Sequence, residues 1–307
     1  MKHSKKYTLM LWALFFATSC FTHLLAQSQS VPVTITVTVN ARKGNEVAKP
    51  AASDFLVYAN KQRIRVVKVQ PVVRRSIAII VDDTLPTEAG NLIEDVRKFV
   101  RQLPSNTDVM VAYGSDGTVK VTQPFTSDLN KAAEGVRITT GNGYPLSSIY
   151  DSVEEFIKGW SSAAGTPEII VVSDGIDRRT GRGVFLPDLD PVVHAAQKKG
   201  VLVYTFFTGL SGHMSRNFFR VANGQGALSQ LADSTGADSF PEAAMSPVTF
   251  VPYLEHLSRD LANQYSVTVR VPVGNNKDGF VPLHVTTELP NTEMSAQNAV
   301  YVEQRKK

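Results

Sequence analysis

With 307 residues, 43% of them hydrophobic, the chain can form one large domain or two modest ones, each with a full core. Its formal charge of +4 nearly vanishes beyond residues 1–26: taking their three lysines from the 32 basic residues leaves 29, against 28 acids. That balance gives no electrostatic case for nucleic acid. Cys20 is the single cysteine, which excludes disulfides and, once a leader is removed, a thiol nucleophile or a cysteine metal site.

Residues 1–26 have the make-up of an export signal. Lys2, His3, Lys5 and Lys6 form a positive start, Leu9 to Phe16 an apolar centre, and Leu24-Leu25-Ala26 ends in a small residue before polar Gln27-Ser28-Gln29-Ser30. Cleavage after Ala26 is expected to leave a periplasmic or secreted chain with no membrane span, since the apolar run is too short for an anchor. A second reading cleaves behind Ala17-Thr18-Ser19 and acylates Cys20, although the leucine usual three residues before such a cysteine is missing.

The segment 27–74 reads as β. Val31, Val33, Ile35, Val37 and Val39 alternate with Pro32, Thr34, Thr36, Thr38 and Asn40, the pattern of a half-buried antiparallel strand. Phe55-Leu56-Val57-Tyr58 and Ile64 to Val69 add two strands, too few to hold a core alone. From 75 to 264 strands alternate with helices, the signature of a parallel sheet with crossovers. Ser76 to Val81 is a buried strand; Leu92, Ile93, Val96, Phe99, Val100 and Leu103 stripe a helix. Strands at Val109–Ala112 and Val119–Val121 follow, then a helix carrying Ile149, Val153, Phe156 and Trp160, and a second buried strand, Glu168 to Ser173. Asp190-Pro191 opens a helix that Gly200 closes before the strand Val201–Phe207. Residues 208–226 read as a long glycine-rich loop, Ala227 to Ala232 as the start of a helix, and Phe250 to Leu261 as the last one. The segment 265–307 returns to β at Tyr265–Val273, Val281–Leu289 and Ala299–Val302. The fold class expected is α/β: a doubly wound, mainly parallel sheet with a small sandwich-like unit built from the first and last β segments.

Both central strands end in acids, at Asp82-Asp83 and at Asp174. Acids at the carboxyl ends of such strands point into the crevice where open α/β sheets bind ligands. The bland alternative is that they cap helices and brace loops. Several enzyme chemistries fail on spacing. The aspartate phosphotransferase pattern needs an acid where Thr84 stands, no glycine follows the first strand to cradle a nucleotide, and no Gly-x-Ser-x-Gly occurs. His194, His213, His256 and His284 are scattered without metalloprotease spacing; His194 and His256 read as ordinary helix residues.

On these residues the chain resembles the von Willebrand factor type A domain in its exported bacterial form, over roughly 31–304. The family's Asp-x-Ser-x-Ser aligns with Asp82-Asp83-Thr84-Leu85-Pro86, and its Thr-Asp-Gly with Ser173-Asp174-Gly175. Its Gly-Gly-Thr-x-Leu-Tyr-Asp-Ala-Leu is similar to Pro145-Leu146-Ser147-Ser148-Ile149-Tyr150-Asp151-Ser152-Val153. Phe55–Tyr58, Leu231–Ala237 and Gln264-Tyr265 match further family segments. The resemblance implies a metal-ion-dependent adhesion site, in which hydroxyls hold Mg²⁺, aspartates act mostly through water, and a partner's acidic side chain completes the shell. It assigns the metal to Asp82, Thr84, Ser147 and Asp174. Pro86 stands where the family has a ligand serine, so the site is degenerate, Mg²⁺ is expected to bind weakly or not at all, and Pro86→Ser is expected to strengthen binding. Arg178, Arg179 and Arg182 read as a solvated loop pairing with Asp174 and Asp177.

The function expected is an exported, non-enzymatic protein-binding module of adhesion type. The alternative is a metal-independent structural subunit of a cell-envelope assembly, and cation dependence of partner capture separates the two.

Overall fold

The computed structural model describes residues 30–44, 46–47, 49–141, 147–161, 165–180, 186–212, 217–241, 246–273 and 278–303. The expected leader with Cys20, and Pro145, Leu146, Arg182 and His213, lie outside the described residues.

Four strands open the chain: β1 (Ser30–Ala41), β2 (Leu56–Ala59), β3 (Gln62–Arg63) and β4 (Val66–Pro71). The next elements are β5 (Arg75–Asp82), α1 (Gly90–Gln102), β6 (Thr107–Ser115), β7 (Thr118–Thr126), α2 (Leu129–Glu134) and α3 (Ile149–Gly159). Then come β8 (Thr166–Ser173), α4 (Asp190–Lys199), β9 (Leu202–Phe207), α5 (Phe218–Thr235), β10 (Ser239–Phe240) and α6 (Val251–Ala262). The chain closes with β11 (Gln264–Pro272), β12 (Phe280–Thr286), β13 (Thr292–Ser295) and β14 (Ala299–Tyr301).

β5 is buried along its whole length because helices cover both faces of its sheet. Ile77, Ile79 and Val81 pack under Leu92, Val96, Leu254 and Leu257 of α1 and α6. Ala78 and Ile80 face Val153, Val192, Leu228 and Leu231 of α3, α4 and α5. The strand order is β10-β9-β8-β5-β6-β7, parallel except for β7, which runs antiparallel on β6. This is the mainly parallel sheet that the alternation of strands and helices predicts, with β5 beside β8 at its centre.

The outer strands make two antiparallel sheets, β13-β1-β11-β4 and β14-β12-β2-β3. Each mixes strands from both ends of the chain: Val31 lies opposite Val271, and Val57 opposite Val285. Val37, Val39, Val57, Val267, Val269 and Val281 share one core between the sheets, so each segment supplies the apolar face that the other lacks. The chain leaves this sandwich after β4 and returns at β11, where Val72 N donates to Gln264 O at 3.0 Å.

One expectation fails locally. Residues 208–226 are not one long loop, because α5 begins at Phe218. Asn217 caps it by accepting from Arg220 N, and the helix tolerates Gly224 and Gly226 because tertiary packing outweighs their low propensity. Gly224 serves that packing: a Cβ there would stand 2.3 Å from the carbonyl oxygen of Asp174. No described helix is long and apolar enough to cross a membrane.

Candidate ligand-binding edge

Val81 lies opposite Val172 in the β5–β8 register, so the acids that follow arrive side by side at one edge of the sheet. Asp82 and Asp174 are both buried, at 2% and 0% exposure. Thr84 donates to Asp82 Oδ1 from its hydroxyl at 2.6 Å and from its amide at 3.0 Å. Ser173 Oγ donates to Asp82 Oδ2 at 2.7 Å, and Asp174 Oδ1 accepts from Ile176 N at 3.0 Å.

A guanidinium lies between the two carboxylates. Arg178 Nη1 and Nη2 donate to Asp174 Oδ1 and Oδ2 at 3.3 and 2.7 Å, and Nη1 stands 3.9 Å from Asp82 Oδ2. Its backbone amide donates to Ser147 O at 2.9 Å, fixing the loop from which the side chain turns inward. At 7% exposure Arg178 is buried, which corrects the solvated loop expected for it. The physical reason is charge: two carboxylates at this depth need a compensating cation, and a planar fork matches one of them at both oxygens. Arg179 is the solvated member, 41% exposed and paired with Asp177 at 3.0 Å and with Asp151.

The electrostatics follow from burial. Desolvation lifts the Asp82 carboxyl above its ordinary range, Asp174 repels it further, and Arg178 opposes both. Burial works against the Arg178 charge, but Asp174 and Asp82 outweigh it and raise its pKa. Asp83 turns away from this pair. Arg137 grips it through Nη1 and Nη2 at 2.9 and 2.8 Å, and Thr140 N donates to it at 3.0 Å. Burial raises the Asp83 carboxyl, yet these hydrogen bonds hold it below the usual carboxylate range. Asp83 is therefore a brace for the 137–140 segment.

The donor set does not suit a divalent ion in this arrangement. Both Asp174 oxygens are engaged by the guanidinium, and Ser147 Oγ accepts from Asp116 N at 3.1 Å. Pro86 begins a short 3₁₀ turn, Thr87–Ala89, and its carbonyl accepts from Ala89 N at 3.0 Å. A metal ion would have to displace Arg178 and would still lack the hydroxyl that Pro86 cannot supply. The structure brings Asp82, Thr84 and Asp174 together, with Ser147 joined to them through the Arg178 amide. Sequence reasoning passed over Ser173 and the burial of Arg178; the signal was an arginine four residues after the acid that ends a buried strand.

Large apolar side chains are exposed in the connections of the α/β body: Ile138 after α2, Leu186 between β8 and α4, Phe218 and Phe219 at the start of α5, and Val248 between β10 and α6. Phe218 and Phe219 are each 69% exposed and stack edge to face, with 6.1 Å between centroids.

No protein-family model and no curated protein matches the chain. Among solved structures it is similar to a von Willebrand factor type A protein from Catenulispora acidiphila, at 12% identity and TM-score 0.46, over 91% of this chain and 75% of that one. The vWF domain of the type V pili tip protein Mfa5 from Porphyromonas gingivalis matches at 10% identity and TM-score 0.42, over 62% and 95%. The conserved hypothetical protein BatB from Bacteroides thetaiotaomicron matches at 14% identity and TM-score 0.40, over 62% and 97%. At such identities the likeness is one of fold. With β5 and β8 central, one antiparallel edge strand and paired acids at the strand ends, the α/β body of this chain is a doubly wound, mainly parallel sheet similar to von Willebrand factor type A domains.

Proposed function

We propose that the chain is an exported, non-enzymatic protein-binding module whose binding edge holds Arg178 where its family resemblance places Mg²⁺. The observation that carries this reading is the exposed Phe218–Phe219 pair that opens α5, the helix following β9 in the sheet whose central strands end in the closed acid pair. Exposed aromatic side chains are enriched at protein contact sites. The carboxylates and Arg178 satisfy one another, so a partner's acid has no ion to complete; Phe218 and Phe219 make the contact instead. The described histidines support a non-catalytic edge: His194 stacks on Phe280, His256 lies on α6, and His284 lies in β12.

The test is capture of partners from envelope extract by wild type and by the Phe218→Ser/Phe219→Ser double variant, each with and without chelator. Capture by wild type should survive the chelator and be lost in the double variant. Loss on chelation that Mg²⁺ alone restores would return the metal-dependent reading of the edge, and full capture by the double variant would move contact to another surface. Export is proposed on the make-up of residues 1–26. Mass spectrometry of the envelope fraction should find a chain beginning at Gln27; a diacylglyceryl Cys20 gives the anchored form, and an intact Met1 defeats both.

A further inference from the structure

Away from the acid edge, a cavity of about 860 Å³ opens on the seam between the sandwich and the α/β body. Asn40, Arg42 and Glu293 line it from the sandwich; Asp233, Asp238 and His256 line it from the body. Asp260 adjoins it on α6, one turn beyond His256, with His256 Nε2 at 3.5 Å from Asp260 Oδ1. One ligand atom from each of Asp238, His256 and Asp260 lies within 4.8 Å of the others. We propose that Asp238, His256 and Asp260 form a binding site for a divalent transition-metal ion of the Zn²⁺ class.

Two independent observations support the site. Asp260 is only 1% exposed, and although Asn40 and Asp238 adjoin it, neither of its carboxylate oxygens has a hydrogen bond of good geometry. A buried carboxylate without such donors is costly and rare in native proteins, and a cation relieves it. The geometry is also pre-set. An i, i+4 spacing puts His256 and Asp260 on one helix face, the spacing by which helices present paired metal ligands. Asp238 comes from the chain entering β10, where its carbonyl accepts from Thr205 N at 3.2 Å, and the Phe240 ring packs against the His256 ring at 5.3 Å.

Ligand chemistry selects the ion. One imidazole nitrogen with two carboxylate oxygens suits Zn²⁺ and its first-row neighbours, whereas Mg²⁺ and Ca²⁺ favour all-oxygen shells. Edges of a tetrahedral site with bonds of about 2 Å are roughly 3.4 Å, so ligand atoms within 4.8 Å of one another need close by at most about 1.4 Å. Three protein ligands leave a fourth position for water or for Glu293, which lines the same cavity from β13. Among the described lining residues Arg42 is the cation that opposes the ion; Asp233, Asp238 and Glu293 favour it.

The test is equilibrium dialysis of the full chain against Zn²⁺, with Mg²⁺ in excess as competitor, on wild type, His256→Gln and Asp260→Asn. Wild type should retain a single Zn²⁺ despite Mg²⁺. Each variant should lose affinity by more than the roughly 10–100-fold that removing a group behind the ligands costs. Co²⁺ added to wild type gives a reading that needs no variant, because low-coordinate N/O binding should bring strong visible absorption. Failure of wild type to hold Zn²⁺, retention by both variants, or a Co²⁺ spectrum like that of the hexaaqua ion would each overturn the proposal.

Discussion

Replacing Arg178 by serine should lower the melting temperature by on the order of 10 °C, and millimolar Mg²⁺ should recover part of that loss. Removing one partner of a buried ion pair costs about 3–5 kcal/mol, because the charge left behind has no compensation. Here two carboxylates, Asp82 and Asp174, are left behind. Serine clears the space between them, so the variant should acquire the cation site that wild type fills with its own side chain. Wild type should show no Mg²⁺-dependent shift. Pro86→Ser alone should not strengthen Mg²⁺ binding, although the sequence by itself suggests that it would, since the guanidinium still spans the acids. Arg178→Ser with Pro86→Ser should bind more tightly than Arg178→Ser, because a hydroxyl then replaces a water in the ion's shell. Thermal melts and calorimetric titration across the four proteins decide the matter. Equal Mg²⁺ shifts in wild type and Arg178→Ser would show that the arginine swings aside and leaves the edge open to metal.

Glu168→Gln should stabilise the protein at pH 8 and leave it nearly unchanged at pH 4.5. Glu168 is fully buried near the start of β8, with neither carboxylate oxygen in a well-formed hydrogen bond and Arg75 Nε at 3.8 Å from Oε2. Burial lifts its carboxyl from 4.5 to about 7, and the Arg75 guanidinium only partly opposes that rise. A carboxyl raised in the folded state makes stability fall as pH climbs from the unfolded value through the folded one. Between pH 4.5 and about 7 the loss is about 3 kcal/mol, since each pH unit in that interval removes about 1.4 kcal/mol. Glutamine has the same shape and no charge, so it escapes that loss. Arg75 keeps neutral partners in Leu261 O at 2.5 Å and Gln264 Oε1 at 3.2 Å through Nη2, while its buried Nε has no hydrogen-bond partner, so the gain at pH 8 is what remains after Arg75 loses its anion. The measurement is the difference in melting temperature between variant and wild type from pH 4.5 to 8, which should grow with pH. A difference that is flat or negative would mean that the Arg75 pairing outweighs the desolvation of Glu168.

The two buried strands, their terminal acids and the alternation with helices are legible in the sequence because each rests on local pattern. A β-branched run such as Ile77–Val81 needs two covered faces wherever it sits, and that requirement alone places it inside a parallel sheet. The half-buried alternation of Val31–Val39 likewise fixes one apolar face and leaves open what covers it. That lack leads the sequence to expect the first and last β segments in one unit, but only the tertiary structure decided which strands pair, β1 beside β11 and β2 beside β12. The same holds for α5, whose glycines read as loop until Gly224 is seen against the carbonyl of Asp174.

At the candidate edge the division is the same. Asp82 and Asp174 follow from strand ends, a local matter, but the guanidinium between them depends on a loop folding back until its amide reaches Ser147. The Asp238–His256–Asp260 group shows both halves at once. Helical spacing aligns His256 with Asp260 from sequence, whereas Asp238 joins them only because β10 pairs with β9 beside α6. Periodicity is set by the backbone of one segment, but charge compensation depends on which segments meet, and no local pattern records that.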